Sequence, residues 1–174
     1  GSFYLSGTSP YSSDVYLSFQ SLLSPSTLYT LSESKLKKIK SLKSYFNVSG
    51  MVEKRYFTKS KDGVDVPYTI VHHKDMKFDG KNATLVYGYG GFRVSLTPYY
   101  RASLGKFWLE KKAVYVLAHI RGGGEYGPAW HAAALKQKRQ TAYNDFYAIA
   151  EDLIKKKITN PKKIAISGGS NGGL

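Results

Sequence analysis

ISGGSNGGL, residues 166–174, leads an apolar strand pattern into a serine set between glycines. Gly168-x-Ser170-x-Gly172 matches the nucleophile elbow, a strand–turn–helix device that presents a reactive serine. Small residues flank Ser170 on both sides, as the tight turn requires. In such a turn the backbone N–H of Asn171 can face a developing oxyanion. The alternative interpretation is a glycine-rich turn between a strand and a helix, with no catalytic role.

Strand and helix patterns alternate upstream of this segment. AVYVLAHI, residues 113–120, is an uninterrupted apolar run, typical of a strand in a sheet that is buried on both faces. Residues 141–157 carry apolar side chains at helical spacing, with Thr141 as a candidate N-cap. A second helix is predicted within residues 98–112, with one apolar side formed by Leu104, Phe107 and Trp108. This order predicts an α/β fold with right-handed crossovers and a mainly parallel sheet.

The first half of the chain has the alternation of β-structure. Residues 52–73 predict a hairpin around a Lys-Asp-Gly turn. Before it, short alternating stretches in the first thirty residues also predict strands. Residues 32–44 are polar and basic with apolar residues spaced by three, which leaves a short helical turn and a linker both open.

Composition limits the class of protein. The 174 residues are 42% hydrophobic and 14% aromatic, as in a folded domain, and no apolar run reaches the roughly 20 residues of a membrane span. With no cysteine, disulfides and thiolate sites are excluded, which suits a cytoplasmic protein. The net charge of +14 comes from scattered lysine clusters without a nucleic-acid-reading motif, so we expect no nucleic-acid or membrane partner.

Two further glycine-rich stretches follow strands. YGYGGF, residues 87–92, places backbone amides and a tyrosine hydroxyl near the end of a strand, although a plain turn is the simpler interpretation. The other stretch contains Gly122-x-Gly124-x-x-Gly127, the spacing of a dinucleotide-binding loop. Its acidic partner at the required distance, Asp145, falls inside a helix pattern, so we expect no nucleotide cofactor.

The four histidines are His72, His73, His119 and His131. None has metal-ligand spacing with another histidine or a carboxylate, so we expect no metal site. All four precede Ser170, whereas the chain order of an α/β-hydrolase is serine, acid, histidine. We therefore interpret each as a structural residue rather than the base for Ser170.

Together these motifs resemble the prolyl oligopeptidase family, serine peptidases with a β-propeller and an α/β-hydrolase domain. The shared residues are YGYGGF at 87–92, HIRGGGEYG at 119–127 followed by Trp130, and GGSNGGL at 168–174. The resemblance implies that Ser170 is the acylating nucleophile. It also implies that the Asn171 N–H and the Tyr89 hydroxyl form the oxyanion hole, and that Phe92 lines a pocket for proline.

The same resemblance separates two branches of the family. Oligopeptidase B, which cleaves after basic residues, is similar around RGGGE but usually has alanine at the position of Asn171 and lacks YGYGGF. Those two features favour the branch that cleaves short peptides after proline. RGGGEYG is then a structural loop near the site.

The resemblance divides the chain at residue 48. Residues 1–48 are expected to be a strand remnant of a propeller-like domain plus a linker. Residues 49–174 are expected to be the first part of a peptidase domain that is truncated after the elbow. We therefore expect no peptidase turnover from this chain alone, a possible complementary chain that carries the acid and histidine, and self-association through uncovered sheet edges. The competing interpretations are a non-catalytic fragment or interaction protein and, less favoured, a dinucleotide-binding protein.

Overall fold

The computed structural model describes residues 1–174, which form two units. One unit comprises residues 1–49 and 97–110, and the other comprises residues 50–96 and 111–174. The sequence-based division at residue 48 leaves 97–110 with the second part, whereas the structure groups them with the first.

The first unit contains a four-stranded antiparallel sheet in chain order. Its strands are β1 (Ser2–Thr8), β2 (Val15–Gln20), β3 (Thr27–Ser32) and β4 (Lys35–Ser41).

Strand β4 lies within residues 32–44, for which the sequence allowed either a short helical turn or a linker. It is a strand, joined to β3 through Glu33 and Ser34, which both have positive φ (49° and 61°), as a tight hairpin turn requires. A register shift opposite Leu28 and Tyr29 leaves Ile39 outside the pairing. An extra residue of this kind interrupts the two-residue alternation of a strand, which is why the apolar spacing of three resembled a helix.

Helix α1 (Ala102–Phe107) is shorter than the sequence predicts, and a 3-10 turn follows at Leu109–Lys111. Leu104 and Leu109 are buried, but Phe107 is 69% exposed, so the predicted apolar side of Leu104, Phe107 and Trp108 is wrong at Phe107. The helix ends at Phe107, and the tighter 3-10 turn directs Leu109 inward instead. Gly105 lies against the ring of Phe46, where a Cβ atom would overlap the ring.

The second unit is a five-stranded sheet with the order β5-β6-β8-β7-β9. Its strands are β5 (Met51–Lys59), β6 (Asp65–His73), β7 (Thr84–Gly88), β8 (Val114–Ala118) and β9 (Ile164–Ser167). Strand β7 pairs in parallel with β8 on one side and with β9 on the other, whereas β6 pairs antiparallel with both β5 and β8. The sheet is therefore mixed: the predicted parallel part is present, and the predicted hairpin extends it with antiparallel strands.

Helix α3 (Gln140–Lys155) packs on one face of this sheet, and α2 (Gly127–Ala132) is a short helix between β8 and α3. The core between α3 and the sheet includes Ile149 and Leu153 from the helix and Val86 and Val116 from the strands. Thr141 is not the N-cap, because the helix begins at Gln140 and Arg139 occupies the cap position. No helix has the length and apolar character that crossing a membrane demands.

The strand order decides where the candidate site lies. Because β8, β7 and β9 are adjacent and parallel, their carboxyl ends share one edge of the sheet. All three glycine-rich stretches of the sequence follow these ends. This is the edge at which open α/β sheets bind ligands.

Candidate active site

The elbow forms a tight turn directly after β9. Ser170 begins a 3-10 turn, Ser170–Gly173, and has a φ of 53°. A positive φ at a non-glycine residue is strained, and the nucleophile elbow holds its serine in such a conformation. A Cβ atom at Gly168 would overlap the carbonyl oxygen of Gly172, so the turn closes only with glycine there. The Ser170 residue itself is exposed.

The elbow is joined to the YGYGGF loop by its own asparagine. The Asn171 Nδ2 donates a hydrogen bond to the Tyr89 carbonyl oxygen at 2.8 Å. Gly91 lies where a Cβ atom would overlap the Asn171 amide, and Gly172 packs just as closely on the Gly88 carbonyl. The structure therefore brings together Asn171 and Tyr89, the two residues predicted to form an oxyanion hole.

Phe92 lies at the end of the same loop, in a left-handed conformation with a φ of 51°. Its side chain is 74% exposed. The strained backbone directs this aromatic ring into solvent. Burial of the ring within the protein therefore does not explain the strained conformation.

An open cavity of about 480 Å³ lies beside the elbow. Its lining includes Ile120, Tyr143, Phe146 and Tyr147, together with the 3-10 turn and the end of β9. Tyr89 and Asn171, the predicted oxyanion donors, also line this cavity, whereas Ser170 and Phe92 do not, so it adjoins the predicted catalytic position from the side of the oxyanion donors. Ile166 on β9 also borders it and is 70% exposed.

The loop at residues 121–127 uses its amides internally. The N–H groups of Gly122, Gly123 and Gly124 donate to the carbonyl oxygens of Trp130, Ile120 and Val94 at 3.0, 3.4 and 3.2 Å. A dinucleotide-binding loop needs such amides directed at the pyrophosphate. The geometry therefore favours a structural loop, although its spacing matches the nucleotide motif.

An ion-pair network, buried at Arg121 and Asp145, holds this loop in place. The Arg121 guanidinium donates to both carboxylate oxygens of Asp145 at 2.9 and 2.6 Å, and its backbone N–H also donates to Asp145. The same guanidinium makes two hydrogen bonds to Asp62 in the hairpin turn, at 2.6 and 2.9 Å. Hydrogen bonding to Arg121 lowers the pKa of Asp62, and hydrogen bonding to Asp145 raises the pKa of Arg121. Sequence analysis considered Asp145 only as a candidate nucleotide ligand and missed this role.

Each of the four histidines has a hydrogen-bond or ion-pair partner outside the elbow. The His119 Nε2 lies 2.9 Å from the Thr69 hydroxyl, and burial lowers the pKa of His119 to about 4. The His131 Nδ1 donates to the Gly122 carbonyl, and the His72 Nδ1 to the His73 carbonyl. His73 lies 3.4 Å from Asp75. None of the four lines the cavity at the elbow, and no group of three acidic, histidine or cysteine side chains is arranged to hold a metal ion.

Arg139 is a residue that sequence analysis missed at this edge. Its guanidinium contacts the Gly90 carbonyl through Nη1 and the Asn171 carbonyl through Nη2 at 3.3 Å. The available sequence signal was a cation directly before a helix pattern, where the helix dipole disfavours positive charge.

A strained serine turn with the nucleophile-elbow pattern, at the carboxyl edge of a partly parallel, helix-covered sheet, is the arrangement of a partial α/β-hydrolase domain. Comparison with known proteins gives the family. Residues 100–174 match the family description "Prolyl oligopeptidase family". The chain is 47% identical to an uncharacterized peptidase of Sinorhizobium fredii and 39% identical to the prolyl endopeptidase of Elizabethkingia meningoseptica, over 94% and 92% of this chain and 23% of each relative.

Solved structures agree. A post-proline cleaving enzyme from Rickettsia typhi superimposes with a TM-score of 0.87 at 42% identity, covering 99% of this chain and 25% of that enzyme. The chain belongs to the prolyl oligopeptidase family. It spans about a quarter of the length of these relatives.

Proposed function

We propose that Ser170 is the acylating nucleophile of a serine peptidase that cleaves short peptides after proline. The observation that carries the proposal is the docking of Asn171 on the Tyr89 carbonyl beside a serine at φ 53°. This contact supports the proposal because it joins Tyr89 to Asn171, the residue that follows the strained and exposed Ser170. Membership in a family of serine peptidases supports the same chemistry.

In the proposed reaction, the Ser170 hydroxyl attacks the carbonyl carbon of the scissile peptide and passes its proton to a base. The carbonyl oxygen becomes an oxyanion, which accepts hydrogen bonds from the Asn171 N–H and the Tyr89 hydroxyl. Collapse of this intermediate breaks the C–N bond, and the base returns its proton to the departing amine. Water then hydrolyses the acyl-serine ester and regenerates the hydroxyl.

The preference for proline rests on Phe92 and on the relatives. An exposed aromatic ring on a strained loop next to the elbow offers a flat apolar surface, which a pyrrolidine ring can contact. The relatives described as a prolyl endopeptidase and a post-proline cleaving enzyme support the same preference.

The base is proposed to come from residues outside these 174. Each histidine of the chain has a partner elsewhere, and none lines the cavity at the elbow. A serine without a base loses several orders of magnitude in acylation rate. Such residues belong to a longer polypeptide or to a complementary chain.

The test is to exchange the matching quarter of the Rickettsia typhi post-proline cleaving enzyme for residues 1–174. We expect the graft to cleave a fluorogenic peptide after proline, much faster than a matched peptide with alanine or arginine at that position. Ser170→Ala in the graft should abolish cleavage, and the 174-residue chain should show none. A folded graft with no activity, or cleavage by the Ser170→Ala variant, would overturn the proposal.

A further inference from the structure

Arg139 lies where helix electrostatics disfavour a positive charge. It occupies the N-cap position of α3, with backbone angles already in the helical region. The amino end of a helix carries a partial positive charge, so a cation there is destabilising unless another contact compensates. The preceding 3-10 turn, Lys136–Lys138, is exposed, whereas Arg139 is half-buried. The position therefore calls for a specific partner.

The partners are carbonyl groups of the two loops that form the candidate oxyanion hole. Nη1 contacts the carbonyl of Gly90 in the YGYGGF loop, and Nη2 contacts the carbonyl of Asn171 in the elbow at 3.3 Å. One planar guanidinium thus spans both loops. Charge-assisted hydrogen bonds of this kind are about twice as strong as those between neutral groups.

The backbone around these carbonyls is shaped to admit the guanidinium. Gly90 has a φ of 58° and Gly122 a φ of 96°, conformations that favour glycine. A Cβ atom at Gly122 would overlap the Gly90 carbonyl and would lie 3.4 Å from the Arg139 Nη1. The glycine of the 121–127 loop therefore leaves room for the contact between Arg139 and Gly90.

The side chain is held along its length. The guanidinium lies over the ring of Tyr143, 5.2 Å from its centroid. The Nε atom is buried and has no hydrogen-bond partner. Both Nη groups contact loop carbonyls although Nε is left without a hydrogen bond. The two loop contacts therefore determine the orientation of the guanidinium.

From this geometry we propose that Arg139 is a positioning residue that fixes the separation of Tyr89 and Asn171. The proposal rests on the proposed function, because it concerns the oxyanion donors of that reaction. The Asn171 Nδ2–Tyr89 contact joins the loops from the elbow side, and Arg139 joins them from α3. Without Arg139, the pairing of β7 with β9, the asparagine contact and the glycine packing still join the two loops, but no side chain from α3 joins them.

The first test measures catalysis in the graft described above, with three variants. Arg139→Met keeps the length of the side chain but removes both loop contacts, and we expect kcat to fall about 10- to 100-fold, because small misplacements of catalytic groups have effects of that size. KM should change less than about twofold, since Arg139 is not proposed to touch the peptide. Arg139→Lys, which can reach one carbonyl as a point charge, should recover part of kcat. Lys138→Met removes a neighbouring exposed charge and should leave both constants unchanged.

A second readout does not depend on activity. In the 174-residue chain, Arg139→Met should increase amide hydrogen exchange in peptides covering residues 87–92 and 168–174. It should leave peptides from residues 66–71 unchanged, and Lys138→Met should alter neither set.

The outcomes separate the two proposals. If the unsubstituted graft is inactive, the proposed function fails, and hydrogen exchange alone decides the role of Arg139. If the graft is active and Arg139→Met retains kcat, or lowers kcat no more than Lys138→Met does, the positioning role is refuted. A rise in KM with unchanged kcat would also refute it, because it would make Arg139 a substrate-binding residue. Unchanged exchange at both loops would contradict the proposed positioning role.

Discussion

Residues 121–127 and 168–174 are both glycine-rich loops that follow strands of the same parallel segment, β8 and β9, which flank β7, yet they are built differently. The first is buried over residues 121–123, donates its glycine amides to nearby carbonyls and is fixed by the Arg121–Asp145 pair. The second presents an exposed serine in a strained conformation and is held by Asn171 and Arg139. In the first loop glycine permits dense internal bonding; in the second it permits close approach of two backbones. The glycine pattern alone does not distinguish these uses, but the partners of the amides do.

The largest predicted effect on stability concerns the Arg121–Asp145 ion pair, which holds the 121–127 loop. Asp145→Asn should lower the free energy of unfolding by about 3–5 kcal/mol, because it leaves the buried Arg121 charge without its main partner. Asp62→Asn removes the other carboxylate, which is 50% exposed, and should cost no more than about 1 kcal/mol. Urea denaturation of both variants measures the difference. Equal losses would contradict the assignment of Asp145 as the main anchor.

Buried His119, two residues before Arg121, predicts that the free energy of unfolding depends on pH. Burial lowers the pKa of folded His119 to about 4, against about 6.5 in an unfolded chain. Between these values the unfolded chain binds a proton that the folded chain excludes, so this contribution is present above pH 6.5 and is lost as the pH falls towards 4. It amounts to the order of 3 kcal/mol.

Denaturation of the wild type and His119→Asn at pH 7 and pH 4.5 isolates this contribution. The wild type should lose more stability than the variant between the two pH values. Parallel losses would show that His119 does not titrate in this range.

The elbow allows a matched pair of glycine substitutions. Gly168→Ala places a methyl group against the Gly172 carbonyl and should destabilise by about 1–3 kcal/mol, with increased hydrogen exchange at residues 166–174. Gly169→Ala meets no atom within 4 Å and should change stability by less than about 0.5 kcal/mol. Similar effects of both substitutions would show that the turn is looser than described.

The smallest effect tests the start of α3. A threonine that caps this helix would cost about 1 kcal/mol when replaced by alanine. Thr141 lies inside the helix, so Thr141→Ala should change the melting stability by less than about 0.5 kcal/mol in either direction. A loss of about 1 kcal/mol in the free energy of unfolding would instead indicate that Thr141 caps the helix.

Sequence alone predicted the features that depend on neighbouring residues. The hairpin around Lys-Asp-Gly, the buried strand β8, the helix pattern of α3 and the turn at Ser170 each show a local periodicity or turn signal. The features that it missed depend on distant residues or on local irregularity. Arg121 pairs with Asp62 and Asp145, which are 59 and 24 positions away, and no periodicity encodes such a contact. Strand β4 was obscured by its bulge at Ile39.

The most direct test of the central claim is intact-mass spectrometry after incubation with a fluorophosphonate, a reagent that labels activated serines. We predict one adduct on the graft, mapping to Ser170, and none on the 174-residue chain under the same conditions. Labelling at Ser170 in the isolated chain would mean that a base lies within these residues, contrary to the positions of all four histidines. An adduct on any other serine of the graft would contradict the assignment of Ser170 as the nucleophile.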